Sequence, residues 1–144
     1  SDNDLIVHGY VDLGIAVDLN YEGLIVPVIR GAEGKRLAAL AREIVDLAGR
    51  AKKKKLLPGE ISGGTFTVTN NGSAGSVLTF PVINQPQSGI MGVGALEKRA
   101  VVIDDAIAIR PMVYLSFVFD HRILDGASAD WFLMKVKETL ENWA

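Results

Sequence analysis

The chain has 144 residues, 49% hydrophobic and 22% charged, a balance typical of one globular domain rather than a disordered segment. Its net charge of -2 gives no general attraction to nucleic acid, and no apolar run approaches the roughly 20 residues of a membrane-spanning helix. The lack of cysteine excludes disulfides, thiolate metal sites and a cysteine nucleophile, and two histidines argue against a histidine-rich metal site.

The first half of the chain alternates between strand and helix patterns. Apolar residues at every second position predict a half-buried strand over residues 11–19, followed by a turn at 20–23. "LIVPVIR" predicts a second strand, in which Pro27 lacks an N–H and needs a sheet edge or a bulge. Apolar positions three or four apart predict a helix over residues 37–55. Its terminal lysine run is interpreted as a solvated helix end, with a phosphate or partner site as the alternative.

The second half of the chain is predicted to be mostly strand, closed by one helix. Asp104 and Asp105 are interpreted as a hairpin turn. Apolar positions three or four apart predict the last helix over residues 127–142. Strands are expected at residues 65–70, 90–103, 106–109 and 112–120, and residues 77–83 are expected to be extended.

Three common functional motifs fail on inspection. "GVGALE" begins like a dinucleotide loop, but Glu97 replaces the third glycine and a strand pattern follows. "GAEGKR" lacks the spacing of a phosphate-binding P-loop. No G-x-S-x-G elbow is present, which argues against a serine hydrolase.

The stretch "FVFDHRILDGASADWFL" supports two readings on spacing alone. His121 follows a mostly apolar strand, where an imidazole held in one tautomer could take a proton near neutral pH, but a structural role is equally open. Asp125 stands where the last helix begins. Its carboxylate would cap the first-turn N–H groups there, a role that competes with catalysis.

The heptad "DHRILDG" resembles the D-H-R-x-x-D-G signature of the dihydrolipoamide acyltransferases, the core subunits of 2-oxo acid dehydrogenase complexes. Chloramphenicol acetyltransferases share the fold and a looser H-x-x-x-D-G. Five further stretches also resemble the acyltransferase family, and they occur in the family's order: "LGIAV", "GLIVPVI", "GGTFTVTNNGSAG", "PVINQPQSGIMGVG" and "RPMVYLSFVFDHR". With the periodicity above, the resemblance implies a chloramphenicol acetyltransferase-like α/β fold, a two-layer mixed sheet with helices on one face.

The resemblance implies transfer of an acyl group from the thioester of dihydrolipoamide to coenzyme A. Coenzyme A would be a substrate of this reaction. His121 would be the general base that takes the thiol proton of coenzyme A, and the thiolate would attack the acyl carbonyl directly. Thr69, where the family has Ser or Thr, would stabilise the tetrahedral oxyanion through its hydroxyl. Asp125 would keep its cap role and also order the site through charge pairing, and Arg122 would support the turn.

The resemblance also implies an assembly. Each site would lie between two subunits of a homotrimer, with His121 from one chain and Thr69 from its neighbour. Trimers would form a cubic or dodecahedral core that works with decarboxylase and dihydrolipoamide dehydrogenase components, and the lipoyl group would be carried on a separate domain. Neither nucleic acid nor a membrane is an expected partner. A cytoplasmic location is favoured over the mitochondrial matrix.

Residues 1–144 are interpreted as the C-terminal part of the acyltransferase catalytic domain, N-terminally truncated, with no lipoyl or subunit-binding module. Ser1 is not a natural start, and the family's catalytic domain begins further upstream. Losing about 1,000 Å² of apolar burial would cost roughly 25 kcal/mol, more than the net stability of about 5–15 kcal/mol of a typical domain. We therefore expect an exposed apolar face near residues 13–17 and 113–119, or a second copy packed there.

Two other functions stay open. One is a chloramphenicol-type O-acetyltransferase acting on a small hydroxyl compound, against which "INQPQSGIMGVG" argues. The other is a non-catalytic folded fragment that serves as a scaffold or oligomer core. For an acyltransferase of the 2-oxo acid complexes, "NNGSAGS" and "INQPQ" slightly favour a branched-chain acyl group over acetyl or succinyl.

Overall fold

A computed structural model describes residues 4–20 and 22–143. Tyr21, within the predicted turn, and Ser1, on which the expectation of truncation depends, lie outside the described residues. The described strands are β1 Leu13–Ile15, β2 Val17–Asp18, β3 Leu24–Ile25, β4 Val28–Ile29, β5 Phe66–Asn70, β6 Gly89–Val93, β7 Glu97–Ile103, β8 Ala106–Met112 and β9 Leu115–Phe119, and the α-helices are α1 Leu37–Lys52 and α2 Gly126–Glu141.

A five-stranded mixed sheet in the order β4-β1-β5-β6-β9 forms the centre of the structure. β1, β5 and β6 are parallel neighbours, and β4 and β9 lie antiparallel at the two edges. Parallel strands need a long crossover connection, and the segment that carries α1 provides one before β5. The predicted mixed sheet is therefore confirmed.

Both α-helices pack on the same face of this sheet. Successive side chains of a strand point to opposite faces, and Leu13 of β1 pairs with Phe66 of β5, so these two share a face. On that face α1 packs Leu47 against Ile29, with Leu13 also in the cluster. The Phe66 ring lies 5.7 Å from the ring of Phe132 in α2. The structure thus confirms a two-layer arrangement with helices on one face.

The opposite face of the sheet is covered by a loop. Thr67 and Ser116 point to this face and are only 1% and 5% exposed. The Ser116 hydroxyl donates a hydrogen bond to the carbonyl of Thr79 in the loop. The segment 77–83, predicted to be extended, forms no strand. It packs across the sheet instead of pairing with an edge, so local sequence could not distinguish it from a strand.

The first two predicted strands form one hairpin that Pro27 interrupts. Leu13 pairs with Ile29 and Val17 pairs with Ile25, so the register is the same on both sides of the break. Pro27 has no N–H to donate, and its carbonyl accepts from the Ile15 amide at 2.9 Å. The proline therefore stands at an interruption next to edge strand β4, as predicted.

Two predictions of continuous strands, over residues 90–103 and 112–120, are wrong. The first divides into β6 and β7, and the second divides between β8 and β9, which ends at Phe119. The cause is a change of partner, because β7 and β8 form a separate two-stranded sheet. At the junction three residues, 94–96, face two residues, 113–114. Such a bulge bends the chain and redirects the β7–β8 hairpin away from the main sheet.

The helices and the second hairpin turn match their predictions. α1 and α2 begin and end within three residues of the predicted bounds. Asp104 and Asp105 both have positive φ, 48° and 62°, as a two-residue turn of the I′ type requires. Neither described α-helix has the length and apolar character needed to cross a membrane.

Exposed apolar side chains occur largely outside the expected places. Of the expected face only Val113 and Tyr114 are exposed, whereas residues 13–17 and 115–119 are buried or half-buried, so the expectation of an exposed face there is largely wrong. The hairpin pairing and the cover by α1 and Val26 explain the burial of residues 13–17. Many of the exposed large apolar side chains lie in residues 5–7, in the β7–β8 hairpin and on the outer side of α2.

An ion pair fixes the chain just before β5. The Asp12 carboxylate, 8% exposed as a residue, accepts from Arg30 Nη1 at 2.7 Å. The same guanidinium donates to the carbonyls of Gly59, Ser62 and Gly63 in the connection to β5. Five donors in a planar fork suit a guanidinium to such a multiple role. Arg30 therefore sets where β5 enters the sheet.

Gly14 is a position of close approach in the sheet, and it gives a test of the packing. An added Cβ there would lie 2.8 Å from Val26 Cγ1 and 2.9 Å from Thr67 Oγ1. We expect Gly14→Ala to lower the free energy of unfolding by about 1–3 kcal/mol through overpacking. Gly49→Ala is the matched control, since Gly49 lies in α1 with open space around it, and it should raise stability by up to about 1 kcal/mol. Thermal melts showing equal effects would contradict this packing.

Candidate active site

A tight turn follows β9 and carries the first candidate residue, His121. The Asp120 amide donates to the Ser88 carbonyl at 2.8 Å, which extends the pairing of β9 with β6 by one bond. The Asp120 carbonyl then accepts from the amides of Ile123 and Leu124 at 3.0 and 3.1 Å. These bonds place His121 between the end of a strand and the start of α2.

The side chains on either side of His121 are joined to each other. The Asp120 carboxylate accepts from Arg122 Nη2 at 2.6 Å and from the Arg122 backbone amide at 3.0 Å. These hydrogen bonds lower the pKa of Asp120 to about 2, so the carboxylate is charged at neutral pH. The pair closes the turn from outside, in agreement with the expected supporting role of Arg122.

The His121 side chain is exposed within one chain. Its ring lies 5.5 Å from the ring of Phe119, at an interplanar angle of 40°. The Phe119 ring in turn lies 5.5 Å from Phe117, which contacts α2 through Phe132. One side of the imidazole therefore rests on the aromatic cluster of the core, and the other side is open to solvent.

Asp125 is the N-cap of α2, which confirms the predicted cap role of its carboxylate. Its Oδ1 accepts from the Ser128 backbone amide at 2.8 Å. The hydrogen bonds from Ser128 lower the pKa of Asp125, and the charge of His121 lowers it further. The Asp125 carboxylate therefore lies at the start of α2, four residues after His121.

Thr69 lies in β5 at the far end of the sheet from His121. Its hydroxyl donates to Asn71 Oδ1 at 3.2 Å, and the side chain is half-buried. Across the sheet Thr69 pairs with Gly92, which pairs with Ser116. From Ser116, β9 runs on to Phe119, about 10 Å at 3.3 Å per residue, and His121 lies beyond that. A single chain therefore brings His121 and Asp125 together but not Thr69.

A polar cavity of about 380 Å³ lies beside the His121 turn. It is lined by Ile83, Gln85, Pro86, Gln87, Asp120 and Arg122. Sequence reasoning missed Gln85 and Gln87 as site residues. The stretch "INQPQ" carried the family resemblance, but neither spacing nor residue type distinguishes a glutamine in a site from one in a solvated loop.

Among residues 4–20 and 22–143, no group of three His, Cys, Asp or Glu side chains is arranged to hold a metal ion. The turn at His121 carries an imidazole, two carboxylates and a guanidinium, and the Thr69 hydroxyl lies elsewhere in the chain. An imidazole can accept and return a proton near neutral pH, and a hydroxyl can donate to a developing oxyanion.

Comparison with known proteins shows the family to which the chain belongs. The family model for 2-oxoacid dehydrogenases acyltransferase (catalytic domain) matches residues 1–144. The chain belongs to this family. It is 49% identical over 139 residues to the dihydrolipoyllysine-residue succinyltransferase component of the 2-oxoglutarate dehydrogenase complex of Bartonella vinsonii subsp. berkhoffii. That match covers 96% of this chain and 34% of the relative, so the chain spans about a third of the relative's length.

Two solved structures have the same fold. A probable dihydrolipoamide acetyltransferase from Listeria monocytogenes 4b F2365 is 44% identical, with a TM-score of 0.93 over 98% of this chain and 60% of that one. The cubic core of a pyruvate dehydrogenase multienzyme complex is 36% identical, with a TM-score of 0.92 over 97% of this chain and 57% of that one. The predicted family and its chloramphenicol acetyltransferase-like α/β fold are therefore confirmed.

The Asp120–Arg122 pair predicts a pH-dependent contribution to stability. The hydrogen bonds from Arg122 hold the pKa of Asp120 at about 2 in the folded chain, below the ordinary value of an aspartate, so its contribution is present above pH ~4 and is lost as the pH falls through ~2. Asp120→Asn should therefore melt at a lower temperature than the wild type at pH 7, and this difference should vanish towards pH 2.

The matched control for this measurement is Asp130→Asn. Asp130 is an exposed residue of α2 that makes no ion pair within the described part of the chain. Its substitution should leave the melting temperature nearly unchanged at every pH. A constant difference between wild type and Asp120→Asn from pH 7 to pH 2 would disprove the charge-based account of the pair.

Proposed function

We propose that the protein transfers an acyl group from the thioester of dihydrolipoamide to the thiol of coenzyme A in a 2-oxo acid dehydrogenase complex. Membership of the acyltransferase family supports this function. The observation that carries it is the turn that presents His121 between the Asp120–Arg122 pair and the capping carboxylate of Asp125. A scaffold would not need an exposed imidazole that lies against the Phe119 ring and next to the Asp120–Arg122 ion pair.

The reaction we propose is a direct transfer between two sulfur atoms. A ring nitrogen of His121 takes the thiol proton of coenzyme A, and the sulfur attacks the acyl carbonyl. The carbonyl oxygen becomes an oxyanion, which accepts a hydrogen bond from the Thr69 hydroxyl. The tetrahedral species then collapses, the bond to the dihydrolipoamide sulfur breaks, and His121 returns the proton to that sulfur. Asp125 stabilises the positive imidazolium during these steps.

The Thr69 hydroxyl must change its hydrogen bond during this reaction. In the free chain it donates to Asn71 Oδ1 at 3.2 Å, which is longer than the usual range of about 2.5–3.0 Å for O–H donors. Turning the hydroxyl towards an oxyanion would exchange this weak neutral bond for a charge-assisted one, and charge-assisted bonds are roughly twice as strong. The rearrangement favours the transition state over the resting state.

Two chains are needed to complete such a site, and we propose a homotrimer that combines into a larger core. The separation of Thr69 from His121 across one sheet supports this arrangement. The accessible surface also supports it, because 10393 Å² greatly exceeds the approximately 7,200 Å² of a compact monomer of this mass. In this proposal His121 comes from one chain and Thr69 from its neighbour.

We further propose that residues 1–144 serve as the C-terminal part of the catalytic domain and that the lipoyl group is carried on a separate domain. The match to part of each relative's length supports this division. The core would work in the cytoplasm with decarboxylase and dihydrolipoamide dehydrogenase components. Coenzyme A is a substrate in this scheme, since the reaction forms and releases its thioester.

Succinyl is the acyl group we propose. The relatives described above are named for succinyl or acetyl transfer, so the preference for a branched-chain group gains no support from them. We expect kcat/KM with succinyl-dihydrolipoamide to exceed the values with acetyl and branched acyl donors. Assays of all three donors at one coenzyme A concentration measure this, and a branched donor reacting fastest would refute it.

Removing the two chemical groups tests the mechanism. His121→Ala should lower kcat by roughly 10²–10⁴-fold, the range for a general base. Thr69→Ala should lower it by roughly 10²–10³-fold, the range for one oxyanion donor. Near-normal turnover in a folded variant would refute the role assigned to that residue.

Mixing the two inactive variants tests whether neighbouring chains share a site. If sites form between chains, dissociation and random reassembly of equal amounts should restore about a quarter of wild-type activity, because half of the chains supply each intact group. If each chain formed its own site, no mixture would recover activity. Mixing without dissociation is the control and should restore nothing.

A further inference from the structure

A buried hydrogen bond joins β5 to the loop beside the His121 turn. The Thr67 hydroxyl donates to Gln87 Oε1 at 2.6 Å. Thr67 is 1% exposed and lies two residues before Thr69 on the same face of β5. Breaking one side of such a buried pair leaves the other polar group without a partner, which is costly. The bond therefore fixes the Gln87 side chain on the sheet.

Two glycines leave room for this pair. A Cβ at Gly14 would come within 2.9 Å of Thr67 Oγ1, and a Cβ at Gly64 would come within 2.9 Å of Gln87 Nε2. The backbone of Gly14 thus lies directly against Thr67, and the backbone of Gly64 lies directly against Gln87. Neither Thr67 nor Gln87 can move far without a clash, so the pair is held in one geometry.

From Gln87 the connection to the His121 turn is short. The Gln87 amide donates to the Asn84 carbonyl at 3.0 Å, which closes the loop. The next residue, Ser88, accepts from the Asp120 amide at 2.8 Å. The Gln87 side chain also lines the polar cavity together with Asp120 and Arg122. A displacement of Gln87 would therefore shift the hydrogen bond between Asp120 and Ser88, with which the turn that carries His121 begins.

We propose that Gln87, held by Thr67, is a positioning residue for His121. This inference rests on the proposed function. In that function His121 is the general base, and Gln87 would keep the His121 ring in the position from which it takes the thiol proton. A misplacement of about 1 Å can cost 10²-fold in rate, so a fixed support has a large effect on turnover. A structural role alone would lower stability but would leave the folded enzyme's kcat and His121 reactivity intact.

The same loop contains a hydroxyl that makes a matched control. Thr79 Oγ1 is buried, and it has no hydrogen-bond partner within the described part of the chain. Thr79→Val therefore makes the same chemical change as Thr67→Val, and it breaks no hydrogen bond of a side chain. Gln87→Met removes the acceptor of the pair at nearly constant volume. Thr67→Ser keeps the donor and removes only a methyl group.

The first experiment measures turnover in the natural full-length protein. Gln87→Met and Thr67→Val should each lower kcat by about 10-fold to 100-fold, with KM for both substrates nearly unchanged. Thr67→Ser should recover most of this loss, and Thr79→Val should have the wild-type rate. In a His121→Ala background, Gln87→Met should cause no further loss, because its effect acts through His121. An equal loss in both backgrounds would overturn the proposal.

A second measurement does not depend on activity. Diethyl pyrocarbonate modifies exposed imidazoles, and the chain has two histidines, so His8 serves as an internal reference for His121. Peptide mass spectrometry gives the two modification rates as a function of pH. The rate of His121 relative to His8 should change in Gln87→Met and Thr67→Val but not in Thr79→Val.

The two measurements separate the failure of this inference from failure of the proposed function. If the wild type transferred no acyl group but the relative reactivity of His121 still changed, the proposed function would fail and the positioning role would stand. If acyl transfer depended on His121 but neither kcat nor the relative reactivity responded to Gln87→Met, the positioning role would fail alone.

Discussion

The alternation of side chains along β5 is the constraint on which the rest of the structure depends. Phe66 and Val68 point to the helix layer, where the rings of α2 and β9 pack on Phe66. Thr67 and Thr69 necessarily point the other way, since neighbouring residues of a strand face opposite sides. A shift of one residue in register would place hydroxyls among the phenylalanine rings. The apolar core thus fixes the side of the sheet on which the proposed oxyanion donor lies.

Local sequence patterns predicted those parts of the fold that local forces determine. The two helices followed from apolar periodicity, and the aspartate pair of the β7–β8 turn from its tolerance of positive φ. The bulge opposite residues 113–114 could not be predicted, because it arises where the chain exchanges one partner strand for another. Such exchanges depend on residues far apart in sequence, and the apolar pattern continues across them.

Only part of the candidate site could be predicted from local sequence. The cap role of Asp125 followed from its place before a helix, and the structure has the expected bond to Ser128. The functions of His121 and Thr69 came from family resemblance, since a histidine at a strand end and a threonine within a strand are common in purely structural settings. Gln87 could not have been found from sequence. Its importance depends on a partner twenty residues away, which becomes visible only in the folded chain.

In the proposed trimer, one sheet supports parts of two different sites. Thr69 would complete a site with the histidine of one neighbour, and His121 would complete another with the threonine of the other neighbour. The Thr67–Gln87 bond then connects the strand that serves the first site with the turn that serves the second. Because packed cores deform little, the two half-sites of a chain keep a fixed separation. Alignment of each complete site therefore depends on the contacts between chains, while each chain fixes the distance between the half-sites it carries.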